Sequence, residues 1–407
     1  MASMAAQAAV NRDTTDAVIV DVVRTPSGRG KPGGALSDIH PADLLAGVLV
    51  ELLRRNDLDP ALVDDVIGGC VTQSGEQAGN ITRTAVLSAG FPESVPAVTV
   101  DRQCGSSQQA AAFAAQGVRA GAYDIVIACG VESMSRAPLG SNVGGASLGG
   151  ALLAQRYPDG LVNQGVAAEL IAQQWGIERD ALDAFAARSH QRAATAVASG
   201  AFENELIPVP TPDSGSVTAD ETIRPSTSPE ALAALSPSFR TDRLAERFPH
   251  LDWRITPGNS SPLTDGASAA LIMSAAAAER LGLRPRARFH SFAVAGSDPL
   301  LMLTGILPAT RKLLDRSGVR IDEIDAYEVN EAFAPIPLLW LREFDADPAR
   351  LNPRGGAIAL GHALGSSGTR LLGTLVNELE ATGGRYGLQT MCEGGGTANA
   401  TLIEILR

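Results

Sequence analysis

Closely spaced metal-binding or disulfide-forming pairs are missing from this 407-residue chain: its four cysteines (Cys70, Cys104, Cys129 and Cys392) form no CxxC pair, and its five histidines are scattered. Neither a metal site nor a disulfide framework is expected from such spacing. Reduced thiols in a cytoplasmic protein are the simplest expectation. Positive charge is short as well, because 33 Lys and Arg face 45 Asp and Glu, a formal net charge of −12. That is the wrong sign for a general nucleic-acid or anionic-membrane binder, which needs a spread-out positive field. The first 16 residues, MASMAAQAAVNRDTTD, have no long apolar core and carry one Arg against two Asp, a poor match to a targeting signal. The most apolar run, GASAALIMSAAAA, is too short to cross a bilayer, so no membrane insertion is expected.

What is present is apolar content of 45%, enough to bury a large core in a chain long enough for two or three domains. Strand-like runs (AVIVDVV, DDVIGGCV, AVTV, DIVIACG, AALIMS, IDAYEVN) alternate with Ala/Leu-rich helical stretches such as PADLLAGVLVELLRRN and DALDAFAARSHQRAATAVASG. This alternation predicts an α/β protein with buried sheets. Between about 131 and 260 the pattern dissolves into isolated helices and Pro/Ser/Thr-rich loops, and so long an irregular stretch is usually functional.

The two ends of the chain also repeat each other. LRRNDLDPALVDDVIGG from Leu53 parallels LDRSGVRIDEIDAYEVN from Leu314, an offset of 314 − 53 = 261. Gly105-Ser106-Ser107 parallels Gly365-Ser366-Ser367 at an offset of 260, and Cys129 parallels Cys392 at 263. Near-equal offsets suggest duplicated halves related by a pseudo-two-fold; chance similarity between two α/β units is the alternative.

The chemistry gathers at the turns of these halves. VPAVTVDRQCGSSQQAAAFAAQGVRAG reads as a strand, a tight turn and a helix, which puts Cys104 at a helix N-terminus. There the free N–H groups and the helix dipole are expected to favour a thiolate. RGGAIALGHALGSSGTR repeats the geometry with His362 in its turn. If the two turns converge, the imidazole can serve as general base to the thiol. IDAYEVNEAFA ends a strand with Asn330 and Glu331, polar candidates for holding a catalytic water, and MCEGGGTANA places Cys392 at a strand end before three glycines. GHALGSSG lacks the Lys and the fingerprint of a phosphate loop.

Together these segments resemble the thiolase family, from DVVRTPSGRG at the start to CEGGGTANATLIEI at the end. The resemblance implies an α/β, five-layered αβαβα fold of two duplicated halves with an inserted loop domain. The first half would span residues 1–130, completed by about 261–284; the loop domain 131–260 would bind coenzyme A; the second half would be 285–407. Cys104 would be the nucleophile, His362 its activator and Cys392 the second thiol that shuttles a proton. Asn330 would hold a water that forms one oxyanion hole with His362, and the N–H groups of Cys104 and Gly394 would form the other. Arg224 and Phe239 resemble nucleotide-side contacts, Ser261 a pantetheine contact and Met302 a lining residue of the acyl pocket. Coenzyme A is implied as co-substrate with no tightly bound cofactor, acyl-CoA as the partner, and a homodimer or homotetramer as the assembly.

The departures from the family pattern are Ala363, Ser107, Leu303, Ile306 and Ala398, and Asn163-Gln164 where acetoacetyl-specific members carry His-Met. They point to an acyl group larger than acetoacetyl. A decarboxylating β-ketoacyl synthase-like enzyme and a non-catalytic acyl-CoA or lipid binder are the rival expectations.

Overall fold

The computed structural model describes residues 16–213 and 215–406. Residues 1–15, on which the expectation about a targeting signal rested, lie outside them. Nine strands carry the architecture: β1 Ala17–Arg24, β2 Asp65–Gly69, β3 Ala97–Val100, β4 Ile125–Ser133, β5 Thr264–Ser274, β6 Ala287–Gly296, β7 Ala326–Val329, β8 Tyr386–Glu393 and β9 Thr397–Ile405. β1, β4 and β5 are buried along their whole length, which is why they read as mainly apolar runs rather than as alternation. The strands form one path, β7-β8-β9-β6-β1-β5-β4-β2-β3, with the short pair Gly28–Arg29 added on β5. Within it β3, β2 and β4 are parallel and β5 and β1 antiparallel, and β7, β8, β9 and β6 repeat that pattern. A parallel bridge between Tyr327 and Leu351 stands where the second half would have a counterpart of β3. The halves are stitched at β1 and β6 by two residue pairs, Val18 with Arg288 and Ile19 with Ala287.

Helices complete five layers. α1 (Pro41–Arg55) starts with Pro in its first turn, capped by the His40 side chain, and ends on Arg54 and Arg55, matching the dipole at its C-terminus. Its Leu44, Leu45, Val48, Leu49 and Leu52 are buried against the outer face of the first half-sheet. α2 (Ser106–Arg119) and α3 (Ser367–Thr382) pack on each other between the half-sheets, where Ala110, Ala111, Ala114 and Ala115 of α2 share a core with Leu372, Leu375, Val376 and Leu379 of α3. The alanines let the two helices approach closely. The amphipathic helix Ile306–Ser317 covers the second half-sheet from outside. Residues between β4 and β5 form helices, among them Gln164–Gln174 and Arg179–Ala198, joined by long loops.

Three pairs of equivalent elements start at the same offset: β2 to β7 is 326 − 65 = 261, α2 to α3 is 367 − 106 = 261, and β4 to β8 is 386 − 125 = 261. The duplication is therefore structural.

Candidate active site

β3 runs out into the turn Asp101–Gly105, and this turn is tightly held. Gln103 takes a left-handed backbone, φ 48°, a conformation that costs a non-glycine residue roughly 1–2 kcal/mol. Local bonds hold it there: Gln103 N donates to Asp101 Oδ1 at 2.7 Å, Arg102 N donates to Ser106 Oγ at 2.9 Å, and that hydroxyl donates to Gln103 O at 2.6 Å. Cys104, next in the chain, is 2% exposed. Gly105 then starts α2, and a Cβ there would meet Glu393 Oε1 at 2.1 Å, so a larger residue would have to displace the Glu393 and Asn399 side chains.

The second turn meets the first through the N-termini of α2 and α3. Thr369 N donates to Ser107 Oγ at 3.0 Å, and a Cβ on Gly368 would lie 2.0 Å from Gln108 N. Cys104 and Leu364 share an apolar cluster with Met134 and Met391. His362 is 4% exposed, and its N–H donates to Thr264 Oγ1 at 2.9 Å. Its Nδ1 lies 2.6 Å from Ser367 Oγ, whose own proton is committed to Ala363 O at 2.8 Å. The hydroxyl must therefore accept from Nδ1–H, which leaves Nε2 as the lone-pair nitrogen. Asn330 Nδ2 lies 3.3 Å from that Nε2. Burial, reinforced by Arg370, pushes the imidazole down to about 3, so it is neutral at physiological pH.

Asn330 follows β7 and is fixed by its N–H to Thr390 O at 3.1 Å, while its buried Oδ1 has no partner among the described residues. Glu331 is not a water holder. Its carboxylate accepts from Ser189 Oγ at 2.7 Å, Asn352 Nδ2 at 2.8 Å and Ile358 N at 3.1 Å, so its acceptors are taken up in tying loops together.

Cys392 lies one residue before the end of β8, 1% exposed and paired with Ala398. Burial and the neighbouring Cys104 push its thiol well up. The Cys104 thiol is pushed up to about 12, by burial first and the Glu393 carboxyl second, against a lowering hydrogen bond from Gln164. The expectation that a helix N-terminus would make this thiol acidic is therefore corrected. Cys104 precedes the first helical residue by two positions, and desolvation outweighs the dipole. Gly394 closes the group: a Cβ there would lie 2.9 Å from Gln103 Oε1 and 3.0 Å from Gln164 Nε2.

Of the four residues expected around coenzyme A, two lean on one turn. Ser261 donates through N and Oγ to Ala332 O at 3.0 and 3.2 Å, and Phe239 packs edge-on against Phe333 with ring centres 5.9 Å apart. Met302 is buried in the cluster that also holds Phe333 and Cys392. Arg224 is exposed; its N–H donates to His190 Nδ1 at 3.1 Å, and no contact among the described residues joins it to the other three. Sequence reasoning missed Gln164 as a Cys104 partner, Ser367 as the His362 partner, and Glu132. That buried carboxylate accepts from Val71 N, Thr72 N, Gln77 Nε2 and Gly365 N at 2.8 to 3.0 Å and so ties the loop after β2 to the second turn. Ser367 and Gln164 lay inside quoted motifs, but Glu132 had no signal beyond a polar residue in an apolar strand. No group of His, Cys, Asp and Glu among the described residues is arranged to hold a metal ion, and no helix among them is long and apolar enough to cross a membrane.

The family model for the thiolase N-terminal domain matches residues 17–276, and that for the thiolase C-terminal domain matches residues 283–405. The chain belongs to the thiolase family. This thiolase is 50% identical over 400 residues to a steroid 3-ketoacyl-CoA thiolase of Mycobacterium tuberculosis, covering 96% of the chain and 95% of the relative. It is 43% identical over 397 residues to a 3-ketoacyl-CoA thiolase of Saccharophagus degradans, covering 96% and 98%. Among solved structures, the acetyl-CoA acetyltransferase of Bacillus anthracis superposes with a TM-score of 0.86 at 35% identity, covering 97% of this chain and all of that one. The five-layered α/β fold is that of the family, and the thiolase is an acyltransferase.

Proposed function

We propose that this thiolase cleaves a 3-ketoacyl-CoA with coenzyme A, giving acetyl-CoA and an acyl-CoA two carbons shorter, and catalyses the reverse condensation at the same site. The observation that carries the residue assignment is a pair of buried thiols, Cys104 and Cys392, near enough for one to raise the other, with Cys104 packed on Leu364 of the turn that carries a neutral His362 whose Nε2 is unprotonated. Two thiols and one base divide the work without conflict. Cys104 Sγ attacks the 3-keto carbon and its proton passes to His362 Nε2. The bond between C2 and C3 breaks, the electron pair stays on C2, and Cys392 gives C2 its proton, releasing acetyl-CoA. Coenzyme A then attacks the acyl-enzyme, giving its thiol proton to the Cys392 thiolate. Cys104 departs and recovers its proton from His362.

Charge developing on oxygen needs donors aimed in advance. Asn330, with its free Oδ1, holds a water that acts with His362 as one oxyanion hole, and the N–H groups of Cys104 and Gly394 supply the other. The geometry asks nothing of a decarboxylating synthase, which has no use for the second thiol, nor of a pure binder. Coenzyme A is the co-substrate, with Arg224 and Phe239 on its nucleotide side and Ser261 on its pantetheine, all from or next to the 131–260 segment, and Met302 lines the acyl pocket. Asn163-Gln164 in place of His-Met, together with a relative named for a steroid substrate, supports an acyl group bulkier than acetoacetyl. We place the enzyme in the cytoplasm as a homodimer or homotetramer, on the four free cysteines and the habit of the family.

Cys104→Ala tests the assignment: turnover is lost while coenzyme A affinity stays within several-fold. Mass mapping of wild type with substrate locates the acyl group on the Cys104 peptide. Retained turnover in the variant sinks the covalent reading, and a panel of 3-ketoacyl-CoA chain lengths settles the acyl preference.

A further inference from the structure

Glu393 stands between the second thiol and the glycines, yet the mechanism above does not use it. Its carboxyl is fully buried, and its Oε2 accepts from Thr397 Oγ1 at 2.6 Å. Its Oε1 has no hydrogen-bond partner and is pressed against Gly105, the residue that follows the nucleophile. The Asn399 amide crowds the same point, with its oxygen 2.9 Å and its nitrogen 2.7 Å from where a Gly105 Cβ would stand. Asn399 Nδ2 donates to Gly105 O at 3.0 Å, which fixes which end of the amide is oxygen, and that Oδ1 also lacks a partner. Two buried acceptors crowded on the same glycine, neither with a donor, are costly. One proton between them satisfies both.

Resting on the assignment of Cys104 as nucleophile, we propose that Glu393 is a positioning residue that works as a neutral carboxylic acid, donating from Oε1 to Asn399 Oδ1 and so holding the Gly105 carbonyl and the Cys104 turn in register. The charged groups around it are few: Arg102 and Asp101 on the nucleophile's turn, and the thiols of Cys104 and Cys392. Burial pushes the carboxyl up to about 8, against the lowering pull of Thr397 and Arg102. When it ionises it releases its proton to solvent, the donor to Asn399 disappears, and a negative charge arrives beside the Cys104 sulfur. Both changes act against the reaction, so Glu393 sets the alkaline edge of activity.

The test compares wild type, Glu393→Gln and Thr397→Val by two readouts between pH 6 and 10: kcat/KM for thiolysis, and the rate of Cys104 alkylation by iodoacetamide without substrate. In wild type, thiolysis falls above a midpoint near 8 and alkylation flattens there instead of rising tenfold per pH unit. Gln keeps the donor and cannot ionise, so the thiolysis edge should move up by at least one pH unit and alkylation should keep rising. Thr397→Val removes a hydrogen bond that favours the carboxylate, so its edge should move up by a smaller amount, and it serves if the Gln variant does not fold. A wild-type profile without an edge near 8, an edge unmoved in both variants, or a loss equal at every pH overturns the proposal. The alkylation arm does not depend on Cys104 being the nucleophile, whereas Cys104→Ala turnover does, so failure of either reading is seen separately.

Discussion

Removing the Ser367 hydroxyl isolates the tautomer on which the proposed base depends. Ser367 Oγ accepts from His362 Nδ1–H at 2.6 Å with both side chains buried, and it can accept only because its own proton is given to Ala363 O. In Ser367→Ala the Nδ1–H has no partner, and a buried unsatisfied donor costs ~1–3 kcal/mol. That cost falls only on the tautomer with Nε2 free. The alternative, with the proton on Nε2, is relieved of it and can donate to Asn330 once that amide turns its unpartnered Oδ1 inward. With about 1.4 kcal/mol per tenfold, kcat/KM for thiolysis, followed by loss of the enolate absorbance, should fall by about ten- to a hundredfold, with the KM for coenzyme A little changed. Ser107→Ala is the control, since its hydroxyl accepts from Thr369 N at the same helix junction without touching the imidazole. It should lower the thermal midpoint by a similar amount and leave kcat/KM within threefold. A Ser367→Ala enzyme within threefold of wild type, or a Ser107→Ala enzyme as impaired as it, refutes the tautomer argument.

Asn330→Ala removes both the contact to His362 Nε2 and the free Oδ1; loss of one preorganised oxyanion partner commonly costs about a hundredfold or more, so kcat should drop by that much while coenzyme A binding, read by calorimetry, stays within several-fold. His190 is buried, and burial with the nearby Arg224 pushes its imidazole down to about 4. Between 6.5 and 4 the unfolded chain therefore binds a proton there that the folded chain does not, so stability falls as pH falls, by about 1.4 kcal/mol per unit from this group. His190→Gln keeps an acceptor for Arg224 N and removes the titration. Urea midpoints measured at pH 7, 5.5 and 4.5 should decline less in the variant, and parallel declines would refute the assignment.

The parts of the fold legible in the sequence were those whose environment is uniform. β1, β4 and β5 are buried on both faces, so they are mainly apolar and the few charged residues in them, such as Arg24 and Glu132, are paired or hydrogen-bonded. β6 went unread because Arg288 and His290 interrupt its pattern; Arg288 is tolerated because it pairs with Asp16 and with Glu404 of β9. Both partners are more than a hundred residues away, and no local rule could anticipate them. The site divides in the same way. Cys104 and Asn330 were legible because each stands just past a strand, and Cys392 because it lies one residue before the end of β8; His362 was placed in its turn correctly, but the segment before it, Ala357–Leu360, is a short helix and not the strand its motif suggested. Gln164 was read as a departure in the acyl pocket, yet it also bonds the nucleophile, a contact made only when the inserted segment folds back. The acidity of Cys104 was read with the wrong sign, since a helix N-terminus is visible in sequence and complete burial is not.

The offset of 261 set by the central helices shows how a duplicated chain carries an asymmetric site. Subtracting it puts Gly365 at the position of Cys104 (365 − 261 = 104), one residue from the Gly105 match read in the sequence, and His362 at that of Asp101 (362 − 261 = 101). The two halves thus use different places on the same turn. A side chain at Gly365 is impossible, since its Cβ would lie 2.4 Å from Val131 O and 2.6 Å from Gly69 O. The second turn is packed against the strands of the first half, whereas Cys104 lies with its neighbours against Glu393, Asn399 and the glycines that follow Cys392. A second nucleophile in the equivalent position has no room, so the second half can contribute only from further up its turn, where His362 sits. Close packing at the helix junction therefore fixes one thiol and one imidazole, and the ancestral symmetry is broken by sterics before chemistry selects among the residues.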